Sequence, residues 1–327
     1  MRAIVAEPFG GPEALRIVER PAPLCAAGEL LVRVRATALN RADLLQRMGK
    51  YPPPPGVTDV LGLEMAGEVA EVGDGVEGWQ VGDRVCALLP GGGYAEYVAI
   101  PAGMALRLPE AMTFEEAAAI PEAFLTAFLN LWTLGGLRPG HRVLVHAAAS
   151  GVGTAAIQLV REAGAIAYAT AGSPEKLAAA SALGAAAGWN YRDGSFRDWL
   201  LAQTDGRGVD LALDFVGAPY FADHLATLAI DGRLLVIGTL GGAAVKDGFS
   251  LGALLAKRLH LIGTTLRSRP LADKLALTRD FAAFAWPRFE DGRLRAVVDR
   301  VYAFEDVAAA HRRMESNANI GKIVLRL

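Results

Sequence analysis

From residue 1 to about 110 the chain alternates apolar and polar positions over short runs. "LLVRVRATAL", "EMAGEVAEVG", "DRVCALLP" and "YAEYVAIP" carry the period-two pattern of half-buried strands, and glycine and proline turns separate them. The pattern predicts a β-rich domain. At Thr113 the texture changes: "TFEE" sets a threonine three residues before Glu116, a capping box that opens an alanine-rich helical stretch. Pro121 interrupts that stretch and starts a second helix. The middle third then runs through six apolar strand candidates, "RVLVH", "AIAYAT", "AAAGWNY", "VDLALDFV", "RLLVIGT" and "LHLIGTTL", separated by helical stretches or turns. That rhythm predicts a parallel, doubly wound sheet. A long helical stretch ends near Phe289, and "RLRAVVDRVYAF", a short helix and "KIVLRL" return to strand texture and are expected to rejoin the first domain.

The expected fold is therefore α/β, with residues 1–120 and 288–327 forming a β-rich domain and residues 121–287 forming an inserted six-stranded sheet. Length agrees, since 327 residues exceed what one core of about 250 to 300 supports. Composition narrows the partners. With 52% hydrophobic residues, 21% charged and a net charge of −2, the chain is neither disordered nor drawn to polyanions, so no nucleic-acid partner is expected. The apolar run Ala123–Leu137, 15 residues, falls short of the roughly 20 that a bilayer span needs and reads as a buried helix. The chain enters a strand at once, with no signal-like segment, which sets the expectation of a cytoplasmic protein. Cys25 and Cys86 are the only cysteines, too few for a disulfide framework or a multi-cysteine zinc site.

"VLVHAAASGVGTAAIQLV" reads strand, small-residue turn, helix, the context in which a dinucleotide fingerprint has meaning. Gly151, Gly153 and Ala156 fit G-x-G-x-x-A, while a register of Ala147, Ser150 and Gly153 also follows the strand end at His146. In either register Ser150, Gly151, Val152 and Gly153 let a pyrophosphate approach the backbone amides of the helix start. An NAD site carries an acid about 20 residues further on, at the end of the second strand. Here that place reads "ATAGSPEK", with no Asp or Glu between Glu162 and Glu175. Gly172 and Ser173 are followed by Lys176 in the first helical turn, where a cation opposes the helix dipole unless an anion is bound there. A ribose 2′-phosphate is such an anion, so NADPH is the expected cofactor, with Tyr191 and Arg192 placed to assist. The plain alternatives are a solvated Lys176 and a solvated Arg192.

These segments, with "LNRADLLQRMGKY", "LLPGGGYAEYV", "AAIPEAFLTAF" and "NANIGKIVL", resemble the quinone oxidoreductase branch of the medium-chain dehydrogenase/reductase superfamily, closest to its p53-inducible type. The resemblance covers essentially the whole chain. It implies a GroES-like catalytic domain, built from both chain ends, around a Rossmann domain that binds NADPH. Zinc-dependent members bind catalytic zinc through a cysteine in C-x-x-D and a histidine in G-H-E. This chain has "NRAD" and "GLE", so Asn40 stands for the cysteine and Leu63 for the histidine. Asp43 and Glu64 remain but make a poor zinc site without nitrogen or sulfur partners, and both read as loop-holding residues.

Without a Lewis acid an ordinary ketone is a hard hydride acceptor, because alkoxide charge develops on its oxygen. A quinone delocalises that charge and asks little of the protein. Asn40 and Tyr51 are candidate hydrogen-bond donors, Tyr51 being either a chemical group or a cofactor and packing contact. The resemblance adds Thr126 at the nicotinamide and Asn319 at the phosphate end. Val216, Gly217, Leu240, Gly241, Thr264, Thr265, Leu266 and Arg267 follow strand C-termini, where doubly wound sheets hold ligands. The prolines Pro52–Pro55 stiffen the loop after Tyr51. Three readings follow: a zinc-independent NADPH:quinone reductase, with ortho-quinones among its acceptors; an NADPH-dependent reductase of activated C=C bonds; and an NADPH-binding sensor or crystallin-like protein without turnover. The apolar edge strand "LHLIGTTL" predicts a homodimer or tetramer.

Overall fold

The computed structural model describes residues 1–246, 248–249 and 251–327. The chain divides into two compact units, Met1–Leu125 with Leu266–Leu327, and Thr126–Thr265.

In the first unit the alternating runs pair into a seven-stranded sheet. Its long strand Glu29–Ala38 takes Glu64–Val72 on one side, while the other side is shared along its length by Tyr97–Pro101 and the C-terminal strand Lys322–Arg326. The last strand thus rejoins the N-terminal sheet, with Val324 opposite Ala38 and Arg326 opposite Ala36. Ile323 and Leu325, two residues apart on this strand, join Ile4, Leu39, Leu61, Tyr94 and Phe304 in one buried cluster. The predicted capping box is present: Thr113 accepts from the Glu116 N–H at 3.2 Å, and Glu116 accepts from the Thr113 N–H at 2.9 Å. A new helix, Pro121–Phe128, starts at the predicted proline.

The second unit is the six-stranded sheet, all of its pairs parallel. From edge to edge its strands are Ala185–Asn190, Ile166–Ala171, Arg142–Val145, Val209–Asp214, Leu228–Val236 and His260–Gly263. Chain order reverses between Arg142–Val145 and Val209–Asp214, and the loops beyond the strand C-termini at such a reversal form the ligand crevice of doubly wound sheets.

The division differs from the expected boundary at 287. Helix Leu271–Glu290 belongs to the first unit because its apolar face packs there: Phe281 and Phe289 lie 6.3 and 5.1 Å from Phe124, ring centre to ring centre. No helix among the described residues is long and apolar enough to cross a membrane.

Candidate functional site

The second unit supplies a shelf of backbone amides. Ser150 caps helix Gly151–Glu162 by accepting from the Gly153 N–H at 3.0 Å. A Cβ on Gly153 would lie 2.4 Å from the Ala147 carbonyl oxygen, and Ala147 itself has φ +47°. The position that must lack a side chain is therefore Gly153, which both registers share.

Strand Ile166–Ala171 ends next to Gly172, and Ser173 caps the following helix Pro174–Ala182 by accepting from the Lys176 N–H at 3.3 Å. Tyr191 folds onto this place. A Cβ on Gly172 would lie 2.3 Å from the Tyr191 hydroxyl, so the phenol fills the space in which a strand-end acid would begin. Gly172, Ser173, Lys176 and Tyr191, expected together at a ribose 2′-phosphate, share one corner. A second pair of predicted loops is also brought together: the Gly241 N–H donates to Val216 O at 2.8 Å and the Ala218 N–H to Gly242 O at 2.9 Å. Buried Asp214 holds this turn, accepting from the Val216 and Gly217 N–H groups at 2.7 and 3.1 Å. Thr264 ends the edge strand with a buried hydroxyl that has no partner among the described residues. Thr126 is 8% exposed, and its carbonyl accepts from Asn130 Nδ2 at 2.8 Å.

In the first unit a charged cluster stands where the zinc ligands of metal-dependent relatives would be. The ammonium of Lys322, 5% exposed, donates to Leu39 O at 2.7 Å and Asn40 Oδ1 at 2.6 Å and pairs with Glu64 Oε1 at 2.6 Å. Glu64, fully buried, also accepts from Asn40 Nδ2 at 2.8 Å and from the Glu122 N–H at 2.8 Å. Asp43 accepts from the Asn40 N–H at 2.7 Å, the Gly62 N–H at 3.2 Å and the Tyr94 hydroxyl at 3.2 Å. Burial outweighs these bonds and the nearby Lys322 charge and pushes the Asp43 carboxyl up to about 6.

This geometry corrects the reading of Asn40 as a donor to substrate. Its two amide protons point at Glu64 Oε1 and at Ala38 O, 3.3 Å away, and its oxygen takes the ammonium. Asp43 and Glu64 hold loops, as their sequence context suggests. The residues also fail to fit zinc: Asn40 and Leu63 offer no thiolate or imidazole, and the Lys322 cation already occupies Glu64 Oε1. Among the described residues no group of three or more His, Cys, Asp or Glu could hold a metal ion.

Tyr51 belongs to the same unit. The Arg267 guanidinium sits 5.2 Å from its ring centre, while donating to Pro90 O at 2.7 Å and Gln46 Oε1 at 2.8 Å. Nη1 of Arg267, a residue 6% exposed, has no partner among the described residues. Burial raises the Tyr51 pKa, partly offset by the Arg267 charge, so the phenol is protonated at neutral pH. Thr264, Thr265, Leu266 and Arg267 follow the end of strand His260–Gly263, as expected, and Leu266 and Arg267 belong to the first unit. Asn319, expected at the phosphate end, has its Nδ2 donating to Gly321 O at 2.8 Å.

Two residues of this cluster were not singled out from the sequence, Lys322 and Glu122. A lysine inside the apolar run "KIVL" was a usable signal, since a buried lysine needs partners. Glu122, directly after Pro121, reads as an ordinary acidic first turn of a helix.

Two family models match the chain: "Alcohol dehydrogenase GroES-like domain" over residues 26–110 and "Zinc-binding dehydrogenase" over residues 151–282. The synaptic vesicle membrane protein VAT-1 homolog of Rattus norvegicus is 33% identical over 342 residues, covering 99% of this chain and 84% of its own length. A quinone oxidoreductase from Thermus thermophilus, solved alone and with NADPH, superposes with a TM-score of 0.84 at 38% identity, covering 100% of both chains. The CurK enoyl reductase superposes with a TM-score of 0.88 at 30% identity, covering 99% of this chain and 98% of its own.

Proposed function

Because the chain belongs to the quinone oxidoreductase branch of the medium-chain dehydrogenase/reductase superfamily, we propose that it reduces quinones with NADPH and without zinc. The observation that carries this reading is the Lys322 ammonium bound to Glu64 and Asn40 at the place of the metal ligands. A site so closed offers no Lewis acid, which favours an acceptor whose reduced anion is stabilised by its own π system. The Thermus relative solved with NADPH supports the cofactor, as does the corner of Gly172, Ser173, Lys176 and Tyr191.

When bound, NADPH supplies the hydride. The chain's own residues would hold its pyrophosphate on the Ser150–Gly153 amides and its nicotinamide end with Thr126, Val216 and Gly217. Tyr51, protonated and fixed by Arg267, would hydrogen-bond the acceptor. Reduction of activated C=C bonds is the second reading, favoured by the likeness to an enoyl reductase. NADPH oxidation measured with ortho- and para-quinones, 2-alkenals and an enoyl thioester decides between them. Quinone turnover is expected, and turnover of alkenals alone would reject it. Tyr51→Phe is expected to lower kcat with quinones about 10-fold or more, the cost of one lost charge-stabilising donor; unchanged turnover and NADPH affinity would make Tyr51 a packing residue.

The proposed assembly is a homodimer through the edge strand His260–Gly263. Beside it helix Leu251–Lys257 turns Leu251 and Leu255, 71% and 81% exposed, to one face. Light scattering should give twice the chain mass, and Leu255→Asp should shift it toward monomer; a monomeric parent protein rejects the proposal.

A further inference from the structure

Two fully buried histidines meet in the second unit, on elements that carry its expected cofactor loops. His146 joins strand Arg142–Val145 to Ala147, and its Nδ1 lies 2.7 Å from the hydroxyl of Thr170, two residues before Gly172. His224 comes from helix Phe221–Thr227. The two rings pack edge to face with centres 4.9 Å apart, and Phe196 and Tyr220 complete the cluster, each 4.8 Å from His146. His224 Nε2 lies 3.5 Å from Asp214 Oδ2, and neither nitrogen of that ring has another partner among the described residues.

Asp214, 1% exposed, turns its remaining contacts to the loop that follows it. Its Oδ1 takes the Val216 N–H at 2.7 Å, and both its oxygens take the Gly217 N–H at 3.1 Å. The carbonyls of the loop are used as well, Val216 O by the Gly241 N–H at 2.8 Å and Gly217 O by the Tyr220 N–H at 3.0 Å. With every backbone polar group of Val216 and Gly217 engaged, what the loop leaves for a ligand is the partly exposed Val216 side chain. The place of that side chain then depends on where the Asp214 carboxylate is held. Backbone N–H groups bring no net charge, and a buried carboxylate needs compensation. Burial pushes the Asp214 carboxyl up, yet His224, the Val216 N–H and His146 hold it below the ordinary value.

We infer that His224 is a positioning residue for the nicotinamide end of the cofactor, acting through Asp214 on the Val216–Gly217 loop. The assignment rests on the reading of that loop as a nicotinamide contact. His224→Phe tests it, because phenylalanine keeps a ring beside His146, Phe196 and Tyr220 and removes both nitrogens. The kcat should fall about 10-fold, within the span that small misplacements of a bound reactant cost. The Kd for NADPH, set mainly by the phosphate contacts, should stay near that of the parent. Amide hydrogen exchange of the free protein gives a readout independent of turnover. Val216 and Gly217 should lose protection in His224→Phe while strands Arg142–Val145 and Val209–Asp214 keep theirs. His224→Gln, which returns an N–H toward Asp214, should restore both kcat and protection. Parent-like kcat and exchange in His224→Phe, or equal losses in His224→Phe and His224→Gln, overturn the assignment and make His224 a packing residue. Lost protection with unchanged kcat overturns the reading of the loop as a nicotinamide contact. A parent protein that oxidises NADPH with no acceptor fails the reductase reading, and exchange then still decides whether His224 holds the loop.

Discussion

Lys322→Met should lower the stability of the first unit by about 3–5 kcal/mol, the usual cost of removing one partner from a buried ion pair. Methionine preserves the length and apolar stem of the side chain, so little of this loss can come from packing. What remains is Glu64, fully buried, with its lysine partner gone, and Asn40 Oδ1 and Leu39 O without a donor. Calorimetry of the full chain should show one transition moved down strongly and the other little changed. Lys322→Met combined with Glu64→Gln should recover much of the loss, because the uncompensated carboxylate is then gone. A single variant as stable as the parent would mean that Glu64 finds another partner, and the ammonium would lose its place as the organising cation of the cluster.

That cluster marks where sequence reading stops. The six strands of the parallel sheet and the capping box at Thr113 were legible because each depends on a local pattern, a short apolar run between turns or a threonine-to-glutamate spacing. The loss of the zinc ligands was legible as well, from Asn40 and Leu63 alone. Lys322 was not, because its partners are set by the register of the last strand against Glu29–Ala38, a pairing that spans nearly the whole chain. The same limit explains helix Leu271–Glu290. Its pattern tells which face is apolar but not that Phe124 covers it. Arg267 follows strand His260–Gly263 as read, but its hydrogen bonds to Pro90 and Gln46 join segments far apart in the chain, which no local pattern shows.

The dinucleotide corner was read more fully, since a missing acid and a lysine in a first helical turn lie within one short segment. Even so, the sequence could show only that the acid is absent. The structure adds why: a side chain at Gly172 would meet the hydroxyl of Tyr191, which directly follows the neighbouring strand Ala185–Asn190.

Lys176→Ala should therefore raise the Kd for NADPH about 10- to 100-fold and leave that for NADH nearly unchanged, as expected for a charge-assisted contact worth about 1.5–3 kcal/mol. Titration of both cofactors on the parent and variant proteins measures it. Equal weakening for both would mean that the lysine acts on the helix and not on the 2′-phosphate, and no weakening would make it a solvated side chain. Reversing the preference needs more than adding an acid. Gly172→Asp alone must push the Tyr191 hydroxyl from a position 2.3 Å from the new Cβ, so weak binding of both cofactors is expected. Gly172→Asp with Tyr191→Ala opens the space, and the new carboxylate can then accept from the ribose hydroxyls while repelling a 2′-phosphate. That double variant should bind NADH more tightly than NADPH. If it still prefers NADPH, discrimination lies outside this corner.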